Sequence, residues 1–250
     1  MKLAGKVCLV TGGVRGIGAA TALRFARAGA DVAIQSRDAN SDAALEVKAA
    51  IEALGRRSIS IAADMASPAD ATRTVEETVA GLGGIDVLVH NAGAAAMGSF
   101  VNVPEDVWYH AFNVHVHAAF HLCRAAIPHM TPKKEGAIIL LGSTAGHRGV
   151  MGAAAYAIVK GAIPQFTRVL ARELADSNIR VNCVSPGVIR TRFQDILTEA
   201  QVKNNLDNRI PLHREGTPDE VAQAIEVLAT NDFMTGSDII LDGGLTMRMA

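Results

Sequence analysis

The chain has 250 residues, 49 % of them apolar, and a formal net charge of −1. That length can bury one sizeable core, which excludes a disordered chain, and the near-zero charge excludes a broad nucleic-acid-binding face. No stretch approaches the roughly 20 apolar residues of a membrane span, and the N-terminus enters a strand-like run with no signal-peptide core, so a cytoplasmic protein without a membrane partner is expected.

Val7–Val10 reads as a strand, Ala19–Ala28 as a helix stopped by Gly29, and Asp31–Ile34 as the next strand. The turn between the first two is Thr11-Gly-Gly-Val-Arg-Gly-Ile-Gly18. Glycines at 12, 16 and 18 permit a tight turn, close approach of backbone to a pyrophosphate, and close helix–strand packing. The helix N-terminus then offers unpaired N–H groups and its positive dipole end to the phosphates. Strand, glycine loop, helix and strand in this order point to dinucleotide binding.

The alternation continues. Ser41–Leu54 is a helix closed by Gly55, and Ser58–Ala62 a strand running to Asp64. Ser67 caps a helix with Pro68 at its first position and an apolar stripe of Ala71, Val75 and Val79. Asp86–Val89 is a strand entering Asn91-Ala-Gly93, and Pro104 opens a long helix to about His129. Gly136–Leu141 is a strand buried on both faces, followed by a helix bearing Tyr156 and a strand at Ile179–Val184. A loop-rich stretch spans Arg190–Gly216, a helix follows Thr217-Pro218, and Ile239–Leu241 closes the sheet. Strands alternating with helices predict an α/β protein with one doubly wound parallel sheet of about seven strands and helices on both faces. The whole of 1–250 reads as a single domain, its cofactor-binding part about 1–135 and its catalytic and substrate part about 136–250.

Ser143 leaves the end of the central strand, where open α/β sheets hold ligands. Tyr156 and Lys160 share one helix face four residues apart. A hydroxyl, a phenol and an ammonium so placed suit acid–base work on an alcohol or carbonyl, and the lysine cation is expected to lower the tyrosine pKa. Cys8, Cys123 and Cys183 are far apart among apolar neighbours and read as buried free thiols. His110, His115, His117, His121 and His129 crowd the long helix. His110, His117 and His121 have a spacing that can hold zinc, but no acidic or cysteine ligand sits with them, so no metal site is assigned and core or interface positions are expected.

Together T-G-x-x-x-G-I-G at Thr11–Gly18, Asp64, N-A-G at Asn91–Gly93, Ser143 thirteen residues before Tyr156, Lys160, Arg180-Val-Asn182, Pro186–Thr191 and Asp242-Gly-Gly244 resemble the short-chain dehydrogenase/reductase family over essentially the whole chain. In length and motif set the chain is similar to the 3-oxoacyl-acyl-carrier-protein reductases. The resemblance implies a Rossmann-like fold, a homotetramer, and a nicotinamide cofactor that moves hydride to or from a small carbonyl or alcohol substrate. By position it makes Tyr156 the acid/base and Ser143 the holder of the substrate oxygen, while Lys160 binds the nicotinamide ribose. Gly12, Gly16, Ile17 and Gly18 would meet the phosphates, Asp64 with Met65 the adenine, and Asn91, Ala92 and Gly93 the adenosine ribose. Pro186, Gly187, Ile189 and Thr191 would lie at the nicotinamide carboxamide.

NAD-preferring relatives usually carry an acidic residue at the end of the second strand. Here Ser36 falls there, followed by Arg37, with Arg15 in the glycine loop, a set that favours NADPH/NADP+ through charge-assisted bonds to a 2′-phosphate. Two departures stand out. The family's asparagine on the long helix, whose region anchors a relay water, is matched in position by His115, with Asn113 two residues earlier. Either His115 substitutes through its carbonyl or the helix shifts and Asn113 serves. Pro164 predicts a kink beyond the site. By analogy the substrate pocket takes Met97, Val150, Met151 and the 191–212 segment with Phe193, Ile196 and Leu197, and Arg190 and Arg192 are available to an acidic substrate. The expected activity is carbonyl reduction with NADPH, on a 3-oxoacyl thioester or another ketone. An NAD(H)-dependent alcohol dehydrogenase and a catalytically silent dinucleotide-sensing protein are the alternatives.

Overall fold

Strand formation follows the apolar runs. Strands β1 (Val7–Thr11), β2 (Asp31–Ser36), β3 (Ser58–Ala62), β4 (Val87–His90), β5 (Gly136–Leu141), β6 (Ile179–Pro186) and β7 (Asp238–Leu241) pair in the order β3-β2-β1-β4-β5-β6-β7. Every pairing is parallel. The computed structural model describes residues 1–191 and 197–247. Helices α1 (Gly16–Arg27), α2 (Asp42–Ala53), α3 (Pro68–Leu82), α4 (Glu105–Phe112), α5 (Ala118–Met130), α6 (Ala154–Leu174), α7 (Glu199–Asn204) and α8 (Pro218–Thr230) connect them.

Alternate strand side chains point to opposite faces, so each strand feeds two cores. Leu9, Leu88 and Ile138 meet Val75 of α3, Leu122 of α5 and Ile163 of α6 on one face. Val10, Val89 and Ile139 meet Phe25 of α1, Ile51 of α2 and Ile225 of α8 on the other. Both faces being covered explains why these strands are apolar without alternation. With all strands parallel, their C-terminal ends share one edge, and the chain changes direction across the sheet between β1 and β4. That switch point opens a crevice.

Four local features differ from the sequence reading. Helix α1 begins at Gly16 rather than Ala19, and its N-cap residue Arg15 makes no side-chain cap bond. The first-turn N–H groups are therefore left for another acceptor. The stretch read as loop contains α7, whose N-cap Thr198 and Gln201 form a reciprocal capping box, and a π turn at Asn205–Arg209 follows it. Pro104 is the N-cap of α4 rather than its first residue, and the long helix is interrupted by a π turn at Asn113–His117 before α5 resumes. Helix α6 runs unbroken through Pro164 from Ala154 to Leu174. The Lys160 carbonyl, deprived of a donor by the proline, faces Gly146, where a Cβ would come within 2.6 Å of it.

Two polar anchors fix the sheet to its surroundings. Arg180 of β6 donates to the carbonyls of Leu228 (2.6 Å) and Ala229 (2.5 Å), satisfying the C-terminal end of α8. His90 ends β4. Its Nε2 lies 3.1 Å from the Val114 carbonyl in the π turn and its Nδ1 lies 3.0 Å from the Thr11 hydroxyl. A carbonyl can only accept, so Nε2 carries the proton and Nδ1 accepts from Thr11. The ring is neutral by this bookkeeping. Burial, and then the nearby Lys160 ammonium, push its pKa down to about 4.

The unfolded chain therefore takes up a proton on His90 at a pH where the folded chain refuses it. Stability from this residue is full above its ordinary pKa of 6.5 and is lost as pH falls toward about 4. The loss expected is roughly 3 kcal/mol. Urea-unfolding midpoints measured from neutral pH downward should fall across that window, and His90→Gln should flatten the fall; a midpoint insensitive to acid in the unaltered protein would contradict it.

Candidate active site

Strand β5 delivers Leu141, Gly142 and Ser143 to the crevice. Ser143 caps a single 3₁₀ turn (Thr144–Gly146), its Oγ accepting from the Ala145 N–H at 3.2 Å. Tyr156 and Lys160 lie one turn apart on α6, and the phenol hydrogen-bonds with Ser143. The tyrosine ring packs in a small apolar cluster with Ala96, Ala111, Ala155 and Val159. The Lys160 ammonium is buried, donates to the Leu141 carbonyl at 2.7 Å, and sits 5.8 Å from the centre of the Tyr156 ring.

The electrostatics correct one expectation. The Tyr156 pKa is raised, because burial outweighs the opposing hydrogen bond from Ser143. The Lys160 cation, 5.8 Å from the ring centre and bonded to a carbonyl, does not reverse that shift, and its own pKa is lowered by burial to about 8.

The His115 side chain reaches the site and that of Asn113 does not. The π turn buries His115 with its ring edge-on to Tyr156 at 5.8 Å, while Asn113 is half-buried outside the cleft lining. His115 Nε2 lies 3.0 Å from the Ala94 carbonyl, and burial followed by the Lys160 charge holds its pKa well below the ordinary value.

One cleft of about 1680 Å³ collects most of the remaining candidates. Gly12, Arg15, Gly16 and Ile17 line it from the glycine loop, Arg37 from beyond β2, and Asn91, Ala92 and Gly93 from beyond β4. Ser143, Tyr156 and Lys160 form its inner wall, and Pro186 at the end of β6 with Gly187, Ile189 and Thr191 beyond it line the other side. Met97, Val150, Met151 and Leu197 also border it, as the pocket reading anticipates. Arg192, Phe193 and Ile196 lie outside the described residues.

Four candidates are off the lining. Gly18 is a packing position, since a Cβ there would fall on the Gly12 carbonyl oxygen. The Ser36 hydroxyl donates to the Asp38 carbonyl. Asp64 is exposed and accepts from the Ala66 N–H, and Met65 is buried in the core. Glu46 on α2, Arg148 after the 3₁₀ turn and Thr246 line the cleft without having been anticipated, and Asn205 and Arg209 of the second π turn line it from within the expected 191–212 segment. The Thr198-x-x-Gln201 pattern could have revealed the helix preceding Asn205, and Asp242-Gly-Gly244 the turn leading to Thr246.

The glycine loop fits a phosphate chain. Gly12 has φ +61° and lies so close to Asn91 that a Cβ would come within 2.9 Å of its Nδ2. That amide donates to the Thr11 and Gly12 carbonyls and locks the loop. The uncapped first turn of α1 contains no acidic residue, so N–H groups and dipole meet an anion unopposed. Beyond it, two hydroxyls and a buried ammonium surround space for one oxygen and one transferable proton. Among the described residues no group of histidine, cysteine and acidic side chains is arranged to hold a metal, and no helix is long and apolar enough to cross a membrane.

Comparison with known proteins gives the same picture. The family model described as Enoyl-(Acyl carrier protein) reductase matches residues 12–246. A 3-oxoacyl-acyl-carrier-protein reductase of Thermotoga maritima is 36 % identical over 99 % of this chain and 100 % of its own. A short-chain type dehydrogenase/reductase from Mycobacterium marinum superimposes with a TM-score of 0.91 at 35 % identity, covering 99 % of this chain and 98 % of that one. A blue fluorescent protein from a metagenomic library, solved in complex with NADPH, superimposes at 0.90 with 36 % identity, over 98 % of this chain and 99 % of its own.

The Ser143 bond is what opposes the upward shift of Tyr156. Removing it in Ser143→Ala should raise the midpoint of phenol ionisation, followed by ultraviolet absorbance. The chain has only two tyrosines, so subtracting a Tyr156→Phe titration isolates the signal. A midpoint that stays in place would show that the bond has no such effect.

Proposed function

The chain belongs to the short-chain dehydrogenase/reductase family, and we propose that it is an NADP(H)-dependent oxidoreductase interconverting a ketone and a secondary alcohol. The observation carrying this reading is the convergence of Ser143, Tyr156 and Lys160 in one cleft with an uncapped helix N-terminus behind a glycine loop. The bound nicotinamide supplies or accepts the hydride. The protein's part is orientation and charge.

Ser143 and Tyr156 hold the substrate oxygen between two hydroxyls, and Tyr156 gives its proton to that oxygen during reduction. A phenol whose pKa burial keeps high retains that proton at neutral pH. Lys160 holds the cofactor ribose and stabilises the phenolate left after transfer. His115 supports Tyr156 by edge-on ring contact and keeps the Gly93–Ala94 segment in place. Gly12, Gly16 and Ile17 receive the phosphates, Asn91–Gly93 the adenosine ribose, and Pro186, Gly187, Ile189 and Thr191 the carboxamide, with Asp64 and Met65 toward the adenine.

NADP(H) is favoured by Arg15 and Arg37 on the cleft wall with no carboxylate at position 36. Glu46 on the same wall offsets one of these charges, leaving a net positive site. A structural relative solved with NADPH lends support. The apolar rim of Met97, Val150 and Met151 suits an acyl chain or other apolar ketone, in line with the 3-oxoacyl reductase relatives. A homotetramer fits the apolar side chains exposed on α5 and α6, Phe120, Ile158 and Val169.

Consumption of NADPH, followed by its absorbance with a panel of 3-oxoacyl thioesters and ketones, tests the activity. Tyr156→Phe should lower kcat by about 10²- to 10⁴-fold. Binding of NADPH without turnover of any substrate would refute the enzyme. Separately, Ser36→Asp with Arg37→Ala should shift preference toward NADH by about tenfold or more. Unchanged NADPH selectivity in that variant would refute the cofactor assignment.

A further inference from the structure

Outside the cleft, His147 after the 3₁₀ turn, Ser185 near the end of β6 and Asp238 at the start of β7 form a polar cluster. His147 Nε2 lies 2.9 Å from Asp238 Oδ2 and 3.2 Å from Ser185 Oγ, and the Ser185 hydroxyl donates to Asp238 Oδ1 at 2.8 Å. These are the residue types of a hydrolytic triad, but the arrangement rules that out. Ser185 is fully buried, its proton is committed to the carboxylate, and one imidazole nitrogen faces both partners. Asp238 Oδ2 is buried with no aligned hydrogen-bond donor, and His147 Nε2 is the polar atom beside it.

The cluster lies directly under the turn that carries Ser143. Gly142 rests against the Ser185 hydroxyl and the Cys183 thiol, with no room for a Cβ. His147 ends the turn, its N–H donating to the Thr144 carbonyl at 3.0 Å as Gly146 N–H donates to Ser143 at 2.9 Å. On its other side Gly146 abuts the Lys160 carbonyl of α6. The turn thus has a floor at Gly142, a wall at Gly146 and, beside the Ser143 bond to Tyr156, a polar tether at His147. The imidazole is 27 % exposed, against 10 % for the Asp238 carboxylate, so the tether closes from the solvent side onto a fixed, buried anchor.

We propose that His147 is a positioning residue for Ser143, its contact with Asp238 and Ser185 setting where the Ser143 hydroxyl meets Tyr156. The proposal rests on the reading of Ser143 as the substrate-oxygen holder, yet it has a readout that needs no substrate. Displacing Ser143 loosens its bond to Tyr156, and that bond is what opposes the upward shift of the phenol.

The experiment uses the full chain with His147→Ala, His147→Gln, Asp238→Ala and the double alanine variant. It measures Tyr156 ionisation by ultraviolet difference absorbance, NADPH affinity by fluorescence titration, and kcat and KM on any ketone the unaltered protein reduces. In His147→Ala the Tyr156 midpoint should move up, in the direction of Ser143→Ala. Its kcat should fall about 10- to 100-fold, the scale of a misplacement near 1 Å, with NADPH affinity within about twofold of the unaltered protein. His147→Gln, which keeps an N–H donor, should restore most of both, and the double variant should be no worse than the worse single one. An unchanged Tyr156 midpoint in His147→Ala overturns the proposal, as does a parallel loss of NADPH affinity or the absence of rescue by glutamine. If the unaltered protein reduces no ketone, the enzyme assignment fails, and the Tyr156 titration with NADPH binding still decides the tether.

Discussion

A buried ammonium sets the terms for everything around it. Lys160 is buried on α6 and has one hydrogen bond among the described residues, to the Leu141 carbonyl at 2.7 Å. Such a charge is tolerated only where its surroundings answer it, and desolvation already pulls its pKa to about 8. Burial, and then the same charge, hold the pKa values of His90 and His115 down. Neutral imidazoles can accept as well as donate, and the network linking Thr11, His90 and the Val114 carbonyl depends on that. Burial reinforced by one cation therefore keeps neutral the groups that hold β1, β4 and the π turn together.

The π turn is the second determinant. One extra residue per turn swells the helix between α4 and α5 and leaves carbonyls that ordinary i→i−4 bonding would have used. His90 takes up the Val114 carbonyl, and the altered phase turns His115 inward against Tyr156 and Gly93. The turn thus gives the His115 ring a buried position, beside a glycine with no Cβ to obstruct it.

Much of this was legible in the residues. The glycine loop, the parallel sheet and the Ser143–Tyr156–Lys160 grouping rest on patterns of period, turn chemistry and spacing, which are local and survive into the fold. What escaped depends on tertiary context. A π turn differs from an α turn by a single slipped hydrogen bond, and Asn113–His117 carries no residue type that announces it. The sign of the Tyr156 shift could not come from a four-residue spacing, because spacing shows a nearby charge but not the burial that outweighs it. Pro164 was read by its propensity to break a helix, and packing on both sides of α6 overrode it. Helix α7 is a different case: its capping box at Thr198 and Gln201 was in plain view, in a stretch judged by its loop-like composition. The clustering of His147, Ser185 and Asp238 joins one turn and two strands distant in sequence, and no one-dimensional pattern links them.

The three cysteines carry a practical consequence. Cys8, Cys123 and Cys183 are all buried, and burial pushes the thiols up, to about 12 for Cys123 and Cys183. Alkylating reagents need an accessible thiolate, which none of them supplies near neutrality. The folded native sequence is thus a silent background for maleimide chemistry, and a single cysteine engineered on an exposed helix face can carry a fluorophore or spin label without first stripping out the natural ones.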